Sequence, residues 1–356
     1  MKDLNNKRRL ITLFTLLTVA FSFVLTSCSS VLDGPAMKYK DIVIPEGCFS
    51  YSVSQTKTSY MLYLTGASST AELEDYPALW EFVPAEDGVT IGEVVMEEIV
   101  KSQKLILFFA SYANEKGITL TDEEKKSVKS EMDTSITTNF KSRSVFNEAL
   151  KTYGLNYDML LEYNTLQLLA SKARDIYFSQ SGESEITEET MKNYYEMNYY
   201  TSTHIFVNNK TVSMSDTTPL SEDEAKKKTD KANDILKKVQ NGEKFESFLS
   251  ETDEETENTS EQTITFSEYE LGFTDFSDAV SKTKIGEVTM LETSAGIYLI
   301  KRQKLDTDHF ETFKENIFIT IADERSTELI DNAESEFVLY DDVIAAHHVT
   351  LAPLFK

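Results

Sequence analysis

The stretch that decides the fold is "YYTSTHIFVNN", residues 199–209, which contains the only histidine among the first 308 residues. Aromatic and polar residues precede His204, and a short apolar alternation follows it. This alternation is typical of a β-strand. A lone histidine beside apolar residues is more often a hydrogen-bonded core residue than a functional one. Whether His204 is structural or functional therefore depends on the helices and strands that the sequence predicts before and after this stretch.

The chain after this strand mixes helices and strands. Ser221-Glu-Asp-Glu224 is a capping box that predicts a helix ending at Gly242, and "EKFESFLSE" predicts a shorter helix. The acidic stretch "TDEETENTSEQ" predicts a loop. The remaining segments predict a strand, one or two helical turns and two further strands, in the order "TITFSEYE", "FSDAVSKT", "GEVTMLET" and "GIYLIKRQ".

The chain before this strand predicts helices. One apolar stripe at helical spacing consists of Ile91, Val95, Ile99, Ile106 and Phe109. Gly117 ends that helix, a capping box at Thr121 opens the next, and Asn156 and Thr187 cap two more. Residues 41–66 begin with the strand-like "DIVIP" and continue with an ambiguous period. After Leu305 the pattern returns to helix, over "DHFETFKENIFITIADERSTELIDNAESEFV".

The first residues predict export. A basic start is followed by a mostly apolar run, Leu10–Leu25, and by Leu-Thr-Ser-Cys ending at Cys28. This ending resembles a lipobox, the site at which bacterial lipoproteins are diacylated and cleaved. The alternative is a short transmembrane anchor, but the run is shorter than the roughly 20 residues that a spanning helix needs. We therefore expect a signal peptide at 1–27, lipidation of Cys28, a tether at 28–40, and a location on the extracytoplasmic face of the membrane.

Composition narrows the class of protein. Only Cys48 remains once Cys28 is lipidated, so the core must be stabilised without an internal disulfide. A chain of 356 residues is long enough for two domains. Its 60 acidic against 35 basic residues argue against nucleic-acid binding. This excess of negative charge keeps a tethered protein soluble.

Residues 196–304 resemble a parvulin-type peptidyl-prolyl cis-trans isomerase domain, through "THIFV", the helix pair after Ser221, "FSDAVSKTKIGEV" and "ETSAGIYLIKRQ". The layout around them is similar to that of SurA/PrsA-type exported foldases. The resemblance implies an α+β fold, in which a helical chaperone domain at 41–196 is completed by a C-terminal helix at 306–356. A parvulin-like domain at 197–305, with a four-stranded antiparallel sheet flanked by helices, is inserted between them.

A prolyl bond isomerises without a nucleophile, metal or cofactor, so we expect none. Its rotation barrier of about 18–20 kcal/mol arises from amide resonance. A site lowers that barrier by binding the twisted amide better than the planar one, with an apolar pocket for the proline ring and a few hydrogen-bonding groups. The resemblance assigns the catalytic roles to His204, Thr293 and Tyr298. It assigns substrate binding to Phe266, Leu271 and Phe276.

The sequence departs from the family pattern in several places. Tyr298 stands where the family has a second histidine, and tyrosine keeps a hydroxyl but lacks the two-ended imidazole. The pocket methionine falls on Gly272, or on Leu271 if the loop shifts by one residue. The family's aspartate or cysteine falls on Asp253 or Glu255. The glycine-rich stretch "GGDLG" is replaced by "EQTIT".

Two functions follow from this pattern. The first is a lipid-anchored prolyl isomerase that acts on unfolded exported polypeptides. The second is a holdase whose aromatic-rich helical domain binds such chains, while a degenerate parvulin domain serves as a scaffold. A solute-binding lipoprotein is disfavoured because a two-lobe alternation of strands and helices is missing from the sequence.

Overall fold

A computed structural model describes residues 31–84, 88–211, 219–254, 262–267 and 274–355. The predicted signal peptide at 1–27 and the predicted lipidation site Cys28 lie outside these ranges. Within the described ranges, no helix combines the length and the apolar composition that a membrane span requires.

Helices make up most of the described chain. In chain order the α-helices are α1 (Glu46–Thr65), α2 (Pro77–Trp80), α3 (Ile91–Lys116), α4 (Asp122–Asn139), α5 (Arg143–Leu150), α6 (Tyr157–Phe178), α7 (Glu188–Asn198), α8 (Glu222–Gln240), α9 (Thr274–Lys282), α10 (Phe310–Asn332) and α11 (Asp341–Ala346). Capping boxes at Thr90, Thr121 and Ser221 open α3, α4 and α8. Asn156 and Thr187 cap α6 and α7. Local hydrogen bonds from these side chains therefore set where the helices begin.

The strands form two antiparallel sheets. In chain order the strands are β1 (Pro35–Tyr39), β2 (Ile42–Pro45), β3 (Tyr199–Val207), β4 (Thr263–Ser267), β5 (Val288–Glu292), β6 (Ile297–Arg302) and β7 (Phe337–Leu339). The smaller sheet has the order β2-β1-β7, and the larger has the order β4-β3-β6-β5. The stretch around His204 therefore forms an inner strand of the four-stranded sheet.

The described chain divides into two compact units. The first contains residues up to Glu185 together with Ala322–Lys356, and the second is the inserted segment Ile186–Ile321. The predicted α+β fold, a helical domain built from both ends of the chain around an inserted four-stranded domain, is confirmed.

The domain boundaries predicted at 196/197 and 305/306 lie inside the second unit, because α7 and the first part of α10 pack together. The Tyr195 hydroxyl donates to the carbonyl oxygen of Asp306 at 2.6 Å. The centroid of the Tyr195 ring lies 5.8 Å from that of Phe310. The helices flanking the sheet in sequence thus belong to the sheet's own unit.

The small sheet of the first unit corrects two sequence predictions. β1 lies within the range 28–40 that was predicted to be the tether, so the tether must end before Pro35. Phe337 and Val338 were predicted to end the C-terminal helix, but they lie in β7. Tyr39 pairs with Phe337, and their rings stack at 4.6 Å. Pairing between opposite ends of a chain leaves no signal in a local pattern.

Helix α1 occupies the segment whose period was ambiguous. Polar side chains are buried along it beside the apolar ones, among them Ser54, Lys57 and Thr58. A buried face with so many polar residues lacks the apolar stripe from which helices are recognised. Burial raises the pKa of the Cys48 thiol on this helix to about 12, so Cys48 stays protonated at neutral pH.

A buried polar contact joins three helices in the core of the first unit. The Tyr163 hydroxyl on α6 donates to Gln103 Oε1 on α3 at 2.7 Å, and it lies 2.8 Å from the Ser52 hydroxyl on α1. Val95 and Ile99, two members of the predicted α3 stripe, are buried in the surrounding apolar core. These contacts fix the three helices against one another because buried polar groups must be paired.

Lys57 fastens the C-terminal tail to α1. Its side chain is 0% exposed, and Nζ donates to Asp75 Oδ2 and to the carbonyl oxygen of Ala352, both at 2.7 Å. The ammonium lies 5.6 Å from the centroid of the Trp80 ring. Trp80 Nε1 in turn donates to Asp75 Oδ1 at 3.3 Å. The buried Lys57 ammonium therefore holds together three segments of the chain, namely α1, the segment around Asp75 and the C-terminal tail.

The four-stranded sheet of the second unit has two apolar faces. On one face Ile205 and Val207 of β3 pack with residues of α8 and β6 (Ala232, Ile235, Ile297 and Leu299). On the other face the core consists of Phe266, Phe276, Val280 and Ile300. His204 alternates with Ile205 and is cross-strand partner to Ile300, so it belongs to the second face.

Gly296 allows the turn between β5 and β6 to close against β3. A Cβ atom at this position would lie 2.6 Å from Phe206 Cε2 and 2.7 Å from the carbonyl oxygen of Val207. The ring could rotate, but the backbone oxygen belongs to a sheet strand and has little freedom. A side chain at 296 would therefore push β6 away from β3.

We expect Asp75→Ala to lower the free energy of unfolding of the first unit by about 2 kcal/mol, because it leaves the Lys57 ammonium buried with one partner fewer. The estimate is below the cost for a fully buried pair because the Asp75 side chain is 35% exposed. Trp80 is the only tryptophan, so urea unfolding followed by its fluorescence measures this directly. Combining Asp75→Ala with Lys57→Met should restore part of the loss. A double variant less stable than Asp75→Ala would contradict this account.

We expect Gly296→Ala to lower the free energy of unfolding of the second unit by about 2 kcal/mol, since the new methyl group overlaps backbone. Calorimetry measures the loss, with the Trp80 fluorescence transition marking the first unit. The matched control is Ser294→Ala, an exposed position in the same turn, for which a change below about 0.5 kcal/mol is expected. Equal stability of Gly296→Ala and the wild type would refute the close approach.

Candidate active site

His204 lies in the middle of β3 with its ring nearly enclosed. The residue is 8% exposed, and Nε2 lies 3.0 Å from Glu254 Oε2. A carboxylate only accepts hydrogen bonds, so Nε2 carries the proton of this bond. Nδ1 is buried and has no hydrogen-bond partner among the described residues. In a neutral ring this second nitrogen is a hydrogen-bond acceptor.

The segment before Glu254 is held against the end of β3. Asp253 donates its backbone N–H to the carbonyl oxygen of Phe206 at 2.8 Å, and Thr252 Oγ1 accepts from the N–H of Phe206 at 3.2 Å. Asp253 turns its carboxylate away, to the N–H of Asn208 at 2.9 Å and to Lys228. The carboxylate that reaches His204 is therefore that of the next residue, Glu254.

Sequence reasoning missed Glu254, since it placed the family's active-site acid at Asp253 or Glu255. Asp253 pairs with Lys228 instead, and Glu255 lies outside the described residues. In the sequence, only the run of acidic residues indicated that a carboxylate could lie near His204. Which of them faces the histidine depends on how the loop is tied to β3, and local composition does not encode that.

Aromatic rings surround the imidazole on its face of the sheet. The His204 ring centroid lies 5.7 Å from that of Phe276 on α9 and 5.9 Å from that of Tyr298 on β6. Phe276 and Tyr298 meet edge to face at 5.5 Å. Phe266 lies 5.8 Å from Phe276 and is itself 2% exposed, so it packs beneath Phe276. The structure thus brings together four of the residues that the sequence singled out.

Tyr298 borders the cluster and is only partly buried. Burial, and secondly the nearby Glu254 carboxylate, raises the pKa of its hydroxyl above the ordinary value of 10. The phenol therefore stays protonated at neutral pH and can donate a hydrogen bond. A donor stands at the position where the family pattern has a histidine.

The two remaining predicted residues are not part of this cluster as described. Thr293 caps the turn between β5 and β6, where its hydroxyl donates to the carbonyl oxygen of Gly296 at 3.0 Å and accepts from that residue's N–H at 3.2 Å. Its contacts are those of a turn residue. Leu271, predicted to bind substrate, lies outside the described residues.

Gln262 is a second residue that sequence reasoning missed. It is fully buried, and its Nε2 donates to the carbonyl oxygen of His204 at 3.1 Å and to that of Leu249 at 3.0 Å. The amide therefore holds the His204 backbone against the end of a 3₁₀ helix, Phe245–Glu251. Only the replacement of the family's glycine-rich stretch by "EQTIT" pointed to this position.

The arrangement suits non-covalent chemistry. It offers apolar ring faces, one imidazole acceptor, one carboxylate and one phenolic donor. Among the residues that the structure describes, no group of three or more histidine, cysteine, aspartate or glutamate side chains could hold a metal ion. Such a site can bind a small apolar ring and polarise an adjacent amide.

Comparison with known proteins identifies this part of the chain. Residues 172–304 match the family model described as Rotamase_3, the PPIC-type PPIASE domain. No curated protein matches the chain significantly.

Several solved structures are similar. Peptidylprolyl isomerase PrsA from Bacillus cereus is 19% identical, covers 76% of this chain and 98% of its own, and has a TM-score of 0.36. PrsA from Bacillus anthracis is 18% identical over 71% of this chain and 94% of its own, with a TM-score of 0.27. Foldase protein PrsA from Lactococcus lactis is 17% identical over 90% of this chain and 99% of its own, with the same TM-score of 0.27.

The matched segment contains the whole four-stranded sheet, the His204–Glu254 pair and the aromatic cluster. The resemblance inferred from the sequence is confirmed: residues 172–304 match the PPIC-type PPIase domain.

Proposed function

We propose that this chain is a membrane-anchored extracytoplasmic foldase that isomerises prolyl bonds in unfolded exported polypeptides. The observation that carries the proposal is the His204–Glu254 pair, set among the rings of Phe276 and Tyr298. It lies in the segment that matches the PPIC-type PPIase domain. Foldase is also the printed description of the matched PrsA protein from Lactococcus lactis.

Prolyl isomerisation requires an apolar surface for the proline ring and groups that hydrogen-bond to the amide, and this cluster contains both. Rotation about the prolyl bond breaks amide resonance, which frees the nitrogen lone pair and leaves the carbonyl a ketone-like acceptor. Phe276 and Tyr298 would hold the proline ring, with Phe266 supporting Phe276 from beneath. Leu271, which lies outside the described residues, is proposed to bind substrate from the resemblance alone. The Tyr298 hydroxyl would donate to the twisted amide, and His204 would orient the peptide through its ring.

Thr293 has a supporting role in this proposal. Its hydroxyl bonds to the carbonyl oxygen of Gly296, which directly precedes β6, the strand that carries Tyr298. The threonine would act on the substrate only through the position of Tyr298. We therefore class Thr293 as a positioning residue.

A second candidate is a holdase without turnover. Tyr298 donates and accepts at a single oxygen, whereas an imidazole offers two nitrogens at different positions of its ring. The helical unit also has an open groove of about 480 Å³ between α4 and α6, lined by Leu161, Leu166, Leu169, Lys125, Lys129, Glu162 and Thr165. An apolar groove bordered by charges suits an extended unfolded chain.

We expect the purified chain to accelerate cis-to-trans relaxation of a proline-containing tetrapeptide, and His204→Ala to lower kcat/KM about tenfold or more. The loss follows because the variant removes both the ring contact and the partner of Glu254. The matched control is His309→Ala, an exposed histidine of the same unit, for which kcat/KM should stay within about twofold. Circular dichroism of each variant checks that the fold is kept.

The outcomes separate the two candidates. No acceleration by the wild type would sink the isomerase proposal. Suppressed aggregation of an unfolded client without isomerase activity would support the holdase. Equal acceleration by the wild type and His204→Ala would remove His204 from the mechanism while leaving the activity in place.

Anchoring is proposed through Cys28, from the lipobox-like Leu25–Cys28. We expect the wild type in the membrane fraction of the producing bacterium and Cys28→Ser in the soluble or released fraction, because a single diacylated cysteine supplies the anchor. Cys48→Ala removes the other cysteine and should leave the fractionation unchanged. Retention of Cys28→Ser in the membrane would favour a transmembrane anchor instead.

A further inference from the structure

Among the described residues, no lysine or arginine forms an ion pair with the Glu254 carboxylate, which lies at the site. Its side chain is 30% exposed, and among the described residues its carboxylate bonds to the His204 ring alone. The lysines near this end of the sheet each bind another acid: Lys210 binds Glu292, Lys228 binds Asp253, Lys231 binds Glu251, and Lys301 binds Glu246. The sequence from Glu251 to Gln262 adds no basic residue.

The side chain before proline must come close to this charge, if the proposed function holds. The prolyl amide has to reach the His204–Tyr298 region while the proline ring packs on Phe276. Covalent geometry places the Cα atom of the preceding residue about 2.4 Å from the amide nitrogen, since one carbonyl carbon separates them. Its side chain therefore lies within several ångströms of Glu254, where charges still interact through partly exposed protein.

We propose that Glu254 makes this site prefer lysine or arginine directly before proline, and disfavour acidic or phosphorylated residues there. The buried Nδ1 of His204, which lacks a described partner, independently marks this region as one that receives a ligand group. The proposal rests on the isomerase function, and it names the substrate class of that same site. A cation before proline is attracted by the carboxylate, while an anion is repelled by it and finds no described lysine available.

The test compares tetrapeptides that differ only in the residue before proline: arginine, glutamine, glutamate or phosphoserine. At pH 8 and low salt, we expect kcat/KM for the arginine peptide to exceed that for the glutamate peptide about tenfold. That ratio corresponds to about 1.4 kcal/mol. Added salt should reduce it, because part of the interaction passes through solvent.

Glu254→Gln should bring the arginine-to-glutamate ratio to within about twofold, and Glu254→Lys should invert it. The matched control is Glu251→Gln, which removes the same charge from a residue that binds Lys231 on α8, the helix on the opposite face of the sheet. That variant should keep the ratio of the wild type, which separates a local effect from the net charge of the protein.

A wild-type ratio near one, or an unchanged ratio in Glu254→Gln, would overturn the proposal. If Glu254→Gln turns over no peptide, fluorescence anisotropy of labelled arginine and glutamate peptides gives the same ratio as Kd values and decides the question. Failure of the wild type to isomerise any peptide would instead contradict the proposed function.

Discussion

The position of β3 between β4 and β6 is the constraint on which the second unit depends. Hydrogen bonding on both edges fixes its register, and with it the face to which each side chain points. Ile205 and Val207 therefore pack in the core beside α8. His204 lies on the opposite face of the sheet, with Phe276 and Tyr298. A slip of one residue would place the imidazole in the aliphatic core and remove it from the carboxylate.

The polar part of the site is built on that strand by long-range hydrogen bonds. Thr252 and Asp253 bond to the backbone of Phe206, and this contact aims Glu254 at His204. Gln262 bonds to the carbonyl oxygen of His204 from the other end of the same loop. Because each of these bonds satisfies a buried or half-buried backbone group, the pair is held by the fold itself rather than by its two side chains.

Contacts between segments far apart in sequence also hold the helical unit together, here through a buried lysine and a pair of strands. The buried Lys57 ammonium binds Asp75 and the carbonyl oxygen of Ala352, and β1 pairs with β7 near the other end of the chain. The N-terminal and C-terminal segments thereby share one core, although the second unit separates them in sequence. An inserted unit is compatible with such a core because both of its ends connect to helices, α6 before it and α10 after it.

The sequence by itself determined the helix starts and the strands around His204, because capping boxes and period-two alternation act over a few residues. The parvulin-type arrangement was implied by the family resemblance. The family resemblance also singled out His204, Phe266, Phe276 and Tyr298, which the structure brings together in one cluster. Only the tertiary structure decided that Glu254 rather than Asp253 faces the imidazole, that Thr293 caps a turn, and that β1 pairs with β7. These features arise from contacts between segments far apart in the chain, and such contacts are set by packing and loop closure, which leave no periodic pattern to read.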